Sequence, residues 1–389
     1  MRSAPARGSH HGGGTPGMAL YLTSVMARTA VTFALVASAG ATAGNARAAE
    51  AEPPGPRECV LPQGDVAITD LPSGSDALDC EAVGRVVTHD GAGVTVPEPG
   101  IAVSVHATRT DGSGHGFTLQ VAADGEITYQ LAGDAVDMET TGSDQPDSVG
   151  NPALEGADLT HEGDSVGADA PDTPASGEPE VADVDTAAAP GACSDKTYKT
   201  LDLKEYGTYN WYVGDGGMPG GLSRSQASTA FRDAVGNIVG SSNNCGLSDT
   251  VSAKAEFKGY TNYEADVDSS GNCRSRDGLS TWDAGNLGAT EIAVACTWSH
   301  VYAGKKNDLR EADVRYNTSD FDFTDYPTSS CYRKHDVRGI GTHEAGHVFG
   351  LDDLYGNDDN LTMYGTPPFC TTKARTLGLG DVRGLRSIY

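Results

Sequence analysis

The run Thr342-His343-Glu344-Ala345-Gly346-His347 places two imidazoles four residues apart, with a carboxylate beside the first. On a helix that spacing puts both rings on one face, where two neutral nitrogens can reach one Zn2+ at about 2.0–2.1 Å. Glu344 then lies beside the metal, where a carboxylate serves as a base toward an attacking water. Five residues recur by chance, so the chemistry needs a third ligand. After His347 the chain has no further His and no Glu, which leaves aspartate. Asp353 lies ten residues after His343, and Gly350, three residues before it, is able to take φ > 0, end the helix and turn the chain back to the metal. Asp352 is one residue off this spacing and is expected to point away. Asp358, Asp359 and Asp381 would need longer loops pinned. Three protein ligands leave a fourth position open, as catalysis requires, and no fourth side chain stands at a suitable spacing.

Around this site His343 to Asp353, Leu361-Thr362-Met363-Tyr364-Gly365, Glu311 to Asn317 and Leu379 to Tyr389 resemble the metzincin zinc peptidases, in particular the matrixin-like bacterial type. The resemblance covers most of Cys193 to Tyr389. Asp353 stands where matrixins carry a third histidine and is similar to the aspartate of snapalysin-type enzymes. The resemblance implies a zinc-dependent endopeptidase in which Met363, in the Met-turn, forms an apolar floor under the metal without ligating it. It also implies that a peptide substrate lies extended along a sheet edge, that edge being the strand near Glu291 to Trp298, with Gly365 to Phe369 shaping the pocket. Tyr364 follows Met363 directly, not two residues later as in metzincins that recruit a tyrosine, so it is given no catalytic role.

Asp266, Asp268, Ser270 and Asp277 have the oxygen spacing of a calcium loop, although no helices flank it and Cys273 lies inside it. They are carried as a possible Ca2+ site beside a solvated acidic loop. Cys59 faintly resembles a cysteine switch, but Cys80 makes a disulfide the simpler reading. His89, His106 and His115 read as surface or packing histidines, and His300 and His335 as surface or supporting ones.

The elements that must position these residues follow from patterning. A helix is expected over Ser223 to Val239 and another from about Val337. Strands are expected at Thr208 to Val213, Ala253 to Tyr260, Glu291 to Trp298 and Ala312 to Asn317, with a short closing helix from Leu379 or Asp381. Upstream, short strands at 84–88, 101–105, 117–121 and 126–129 between Asp-Gly turns suggest a small β-sandwich. Between Arg109 and Lys196 there is no Lys or Arg, and Asp134 to Pro190 holds 15 acidic residues without an aromatic, the composition of a linker that cannot form a core. The fold class is therefore α+β: a metzincin-like domain at 193–389, preceded by a signal region at 1–48, a β-rich module at 49–132 and an acidic linker at 133–192.

The signal reading rests on Met26-Ala27-Arg28, the apolar run Thr29 to Ala43 and Ala46-Arg47-Ala48. That run is short of the roughly 20 residues a bilayer span needs, so a secreted, extracellular chain without a stable membrane span is expected. Eight cysteines, two before the linker and six after it, fit disulfides within each part. A formal charge of −27 argues against nucleic acid as a partner; the resemblance to peptidases implies protein or peptide substrates, and a monomer is expected. Two other readings stay open: a secreted binding protein whose metal domain is catalytically degenerate, and a module that is a propeptide removed on activation.

Overall fold

The computed structural model describes residues 59–112, 116–131 and 191–389. The expected signal region, His115 and nearly all of the acidic segment lie outside them. The described chain is α+β, with a mixed sheet and three α-helices. Its strands are β1 (Val66–Ala67), β2 (Val86–His89), β3 (Ala92–Thr95), β4 (Ile101–Arg109), β5 (Gly116–Val121), β6 (Ile127–Leu131), β7 (Leu203–Lys204) and β8 (Tyr209–Val213). Helix α1 (Arg224–Val239) follows, then β9 (Ala255–Tyr260), β10 (Ser280–Gly285), β11 (Glu291–His300), β12 (Asn307–Asn317), β13 (Asp322–Thr324) and β14 (Lys334–Asp336), and finally helices α2 (Val337–Val348) and α3 (Leu379–Ile388).

The expected elements form where patterning put them, but their assembly differs. The N-terminal strands do not close a sandwich of their own. One nine-stranded sheet runs β6-β5-β4-β11-β12-β10-β8-β9, with β7 also on β12, while β1-β2-β3 form a small separate sheet. The joint is the antiparallel pair β4–β11, in register from Ile101 opposite His300 to Arg109 opposite Glu291. Strand β11 is therefore not an edge: β12 holds its other side. The physical reason is apolarity on both faces. Ala293 and Ala295 enter the core under the helices, whereas Val294, Cys296 and Trp298 enter a second core with Val103, Val105, Phe117 and Leu119. Each aliphatic side chain so buried contributes about 1.5–3 kcal/mol, and neither part could shield its share alone.

Six strands, β1, β3, β7, β10, β13 and β14, were not expected. The sequences Ala92–Thr95 and Ser280–Gly285 carry Gly, Ala and Asp, poor strand formers. Strand β10 is held between parallel neighbours β8 and β12, and Asp283 in its middle receives Arg315 of β12 through two bonds, at 2.8 and 2.6 Å. All eight cysteines are paired, as Cys59–Cys80, Cys193–Cys245, Cys273–Cys296 and Cys331–Cys370, bonds of the kind oxidising compartments sustain. Every pair stays on its own side of the acidic segment. Among the described residues no helix is long and apolar enough to cross a membrane.

Helix α1 starts with a capping box, Ser223 and Gln226 bonding each other's backbone. Helix α2 is capped by Asp336, which accepts from Gly339 N at 2.8 Å and is clamped by Arg375 at 2.7 and 2.5 Å. Glycine lets α2 lie close to its neighbours: a Cβ at Gly341 would stand 2.6 Å from the Tyr316 hydroxyl and 2.9 Å from Ala234 Cβ. Gly341→Ala is therefore expected to overpack this crossing and cost about 1–3 kcal/mol, read as a lower urea midpoint at unchanged slope. An unchanged midpoint would show that the crossing has slack.

Candidate metal centre

Helix α2 carries His343, Glu344 and His347 on its buried side, and its end is set by Gly350 at φ 89°. A Cβ there would collide with the Leu203 carbonyl, so the reversal needs glycine for both conformation and space. Beyond the turn Asp353 comes back to the helix. Its Oδ1 lies 3.0 Å from His343 Nε2 and 3.5 Å from His347 Nε2, and the two Nε2 atoms are 3.1 Å apart.

Each ring is fixed from behind. His343 Nδ1 is 2.8 Å from the Thr362 carbonyl and His347 Nδ1 is 3.0 Å from the Leu351 carbonyl. A carbonyl only accepts, so each Nδ1 donates and each Nε2 turns its lone pair inward, the arrangement of a metal-ligating imidazole. Two lone pairs facing each other beside a carboxylate require a cation between them, either a proton or a metal. The donor set fits a metal: ligand atoms at about 2.0–2.1 Å from a tetrahedral ion stand about 3.3 Å from one another, close to the distances here. Beyond these two ring nitrogens neither carboxylate oxygen of Asp353 has a hydrogen-bond partner, and both are buried.

Charge coupling ties these groups together. Burial works against the His347 imidazolium, but Asp353 beside it outweighs that and raises the group to about 9. Burial works against the Asp353 carboxylate too, yet the two histidines hold it well below the usual carboxylate range. Burial pushes Glu344 upward, partly offset by the histidines and by Thr108, whose hydroxyl donates to Oε1 at 2.5 Å. Glu344 Oε2 is left without a partner.

A Cβ on Gly346 would collide with Met363 Sδ, so the thioether packs directly under the helix between the two histidine turns. Asp381, weighed as a distant ligand, has another duty: its buried carboxylate accepts from Thr362 N at 2.9 Å, Met363 N at 3.2 Å and Gly378 N at 2.8 Å. It thereby fixes the Thr362 carbonyl that orients His343.

Three residues escaped the sequence reading. His106, assigned to packing, is buried in β4 and stacks on His347 with centroids 4.6 Å apart. Its Nδ1 is 3.6 Å from Asp352 Oδ1, and a ring nitrogen lies within 4.8 Å of the ligand atoms of His347 and Asp353. Burial and the neighbouring His347 lower it to about 3, so the ring is neutral. Thr108, two residues on, shares its face. Asp352, read as pointing away from the site, faces His106 instead, and burial with Asp353 beside it raises it to about 6. The only available signal was that β4 reads Ile-Ala-Val-Ser-Val-His-Ala-Thr, one side apolar and the other polar where a sheet surface would be wet.

The acidic loop is arranged differently from a calcium loop. Asp268 is occupied by Ser270 N at 2.8 Å and Asn272 N at 3.1 Å, so it does not join Asp266 and Asp277. Those two gather instead with Glu311 of β12, ligand atoms within 4.8 Å of one another. His335 is buried among Phe321, Phe323 and Phe369, away from solvent, and His300 is exposed. A scan against models of known protein families finds no match for this chain, and no curated protein matches it.

Two measurements follow. Asp381→Ala strips three buried N–H groups of their acceptor, and an unsatisfied buried donor costs about 1–3 kcal/mol. Stability should fall by at least that in urea, with weaker metal retention because His343 loses its anchor. In the acidic cluster, burial pushes Glu311 to about 7 and Asp266 to about 6, with neighbouring carboxylates adding to both. The folded state thus holds protons more tightly than the unfolded chain, so this contribution is present at low pH and is lost as pH rises from about 4 to 7. In calcium-free buffer, Glu311→Gln should flatten the fall in Tm across that window; an unaltered slope would assign the pH dependence elsewhere.

Proposed function

We propose that the chain is a secreted zinc-dependent endopeptidase of the metzincin type, with His343, His347 and Asp353 holding the ion and Glu344 as general base and acid. The observation that carries this reading is the convergence of two inward-turned Nε2 atoms and the Asp353 carboxylate next to the unpartnered Oε2 of Glu344. Two imidazoles and one carboxylate on a helix-turn frame suit zinc among divalent ions. When bound, a zinc ion supplies Lewis acidity, lowering the pKa of a water toward neutrality and polarising a carbonyl.

The remaining work belongs to the protein. Glu344 takes a proton from the water as its oxygen attacks the peptide carbonyl carbon, then delivers that proton to the departing amine nitrogen as the C–N bond breaks. Burial of Glu344 suits both halves, because a carboxylate raised toward neutrality both accepts and returns a proton readily. Met363 and the Gly350 turn keep the ligands in place while charge changes beside them. A pocket beside His343, lined by Ile340, Leu361, Tyr364, Pro367 and Pro368, would take an apolar side chain of the substrate next to the scissile bond. The disulfides support export, and protein or peptide chains are the substrate class.

The test is metal content of the purified chain together with casein hydrolysis by all its secreted forms, beside Glu344→Gln and Asp353→Ala. One zinc per chain is expected in the wild type. Glu344→Gln should keep the zinc and lose hydrolysis by about 10²-fold or more, and Asp353→Ala should lose the zinc. Zinc bound with no hydrolysis by any secreted form would favour a binding protein, and absence of zinc would remove the site.

A further inference from the structure

The pocket beside His343 has a wall whose back rests on a buried ring. Pro367, Pro368 and Thr371 line that pocket, and between them Phe369 turns onto His335 of β14, ring centroids 4.5 Å apart. Phe321 and Phe323 close other sides of the imidazole, at 5.7 and 6.0 Å. His335 is 1% exposed, and among the described residues neither of its nitrogens has a hydrogen-bond partner. Buried polar groups ordinarily find one. A phenylalanine or leucine would fill this cage without leaving bonds unmade, so what sets a histidine apart here is the proton it can take.

The charged groups on the surrounding elements are engaged elsewhere. Asp322 and Lys334, opposite each other across β13 and β14, are exposed, and Asp336 is turned to Gly339 N and Arg375. Arg333 stands over the Phe369 ring at 5.9 Å. The turn at Pro219–Gly221, packed behind Phe323, has no titratable side chain, and neither has the segment 365–372 apart from the disulfide-bonded Cys370. Burial alone acts on His335 and lowers it from its ordinary 6.5 to about 4. A protonated ring in this cage would be a buried charge without a partner. Phe369 offers the way out, since it is already 42% exposed. Just beyond it Cys370 is fastened to β14, by its disulfide to Cys331 and by its N–H to the Lys334 carbonyl at 2.8 Å. Its φ of 57°, uncommon for a residue with a Cβ, marks a sharp bend there.

We propose that His335 is a positioning residue for this pocket: neutral, it seats Phe369 and so holds Pro367 and Pro368 as the wall; protonated, it leaves the cage and the wall swings out about Cys370. An apolar substrate side chain is thereby gripped near neutrality and released in acid. The substrate's use of the pocket rests on the zinc-peptidase reading above, whereas the movement stands on the cage itself. Its sign follows from proton binding. With the wall out, His335 regains its ordinary value and binds a proton more tightly than in the cage. The closed wall is therefore fully favoured above about pH 6.5 and loses ground as pH falls toward 4, where the ratio of open to closed has risen by up to about 300-fold.

The experiment labels the full-length chain with 4-fluorophenylalanine and follows its fluorine spectrum from about pH 7 to pH 4, the Phe369 signal being identified by its loss in Phe369→Leu. That signal should move in the wild type with a midpoint inside this window while far-UV circular dichroism stays constant. In His335→Phe and His335→Leu, which take no proton, it should stay in place. Over the same range the wild-type KM for a peptide with an apolar residue after the scissile bond should rise about threefold or more beyond that of the variants. A wild-type signal that does not move overturns the proposal, even should both variants fail to fold. Equal movement in wild type and variants overturns it too, as does movement only together with loss of circular dichroism. Should no secreted form cleave the peptide at any pH, the peptidase reading falls, and the fluorine titration still decides the movement.

Discussion

Burying charge is the constraint around which this molecule is arranged. Glu344, Asp352 and Asp353 lie within one dry region with His343, His347 and His106, every one of them at most 5% exposed. Isolated carboxylates in such surroundings would be prohibitively costly, and they persist only where opposite charge or hydrogen bonds meet them. Here the compensation is directional. Main-chain carbonyls fix the backs of two imidazoles, and the carboxylate meets their fronts.

That requirement explains features elsewhere. Helix α2 carries glycine at 339, 341 and 346 because each position faces something that must come close: the Asp336 cap, the Tyr316 hydroxyl and Ala234, and the Met363 sulfur. Those approaches set helix α2 close against its neighbours. Asp381 performs a related service from α3, tying down the turn whose carbonyl orients His343. A second buried charge system, Asp283 with Arg315, does likewise for the unpromising strand β10, whose own sequence would not keep it in a sheet.

The N-terminal strands belong to the same frame. Because β11 is apolar on both faces, it needs two layers of cover, and the strands before the acidic segment supply one of them. Folding therefore brings β4 to the metal centre as a consequence of burying Val294, Cys296 and Trp298. A strand recruited for its apolar side brings its other side with it, and that side carries His106 and Thr108. Core packing and the contacts to α2 thus come from alternate residues of one strand, a direct result of the two-residue period of β-structure.

His343, Glu344, His347, Gly350, Asp353 and Met363 were legible because their relation is local: a helical repeat and a glycine reversal bring His343 to Asp353 within ten residues, and a short return does the rest. The α+β class, most elements and the disulfide partition were legible for the same reason, since periodicity and composition are properties of short windows. The junction of β4 with β11 was not, because it joins positions almost two hundred residues apart through register that only mutual burial selects. His106 and Thr108 acquired their places from that register, Glu311 displaced Asp268 beside Asp266 and Asp277 by lying across a neighbouring strand, and β10 exists because its partners do. Sequence alone determined that His343, His347 and Asp353 can meet on one helix and its return; the tertiary structure decided which strand packs against them, because a strand's neighbours are chosen by the surface both sides can hide from water.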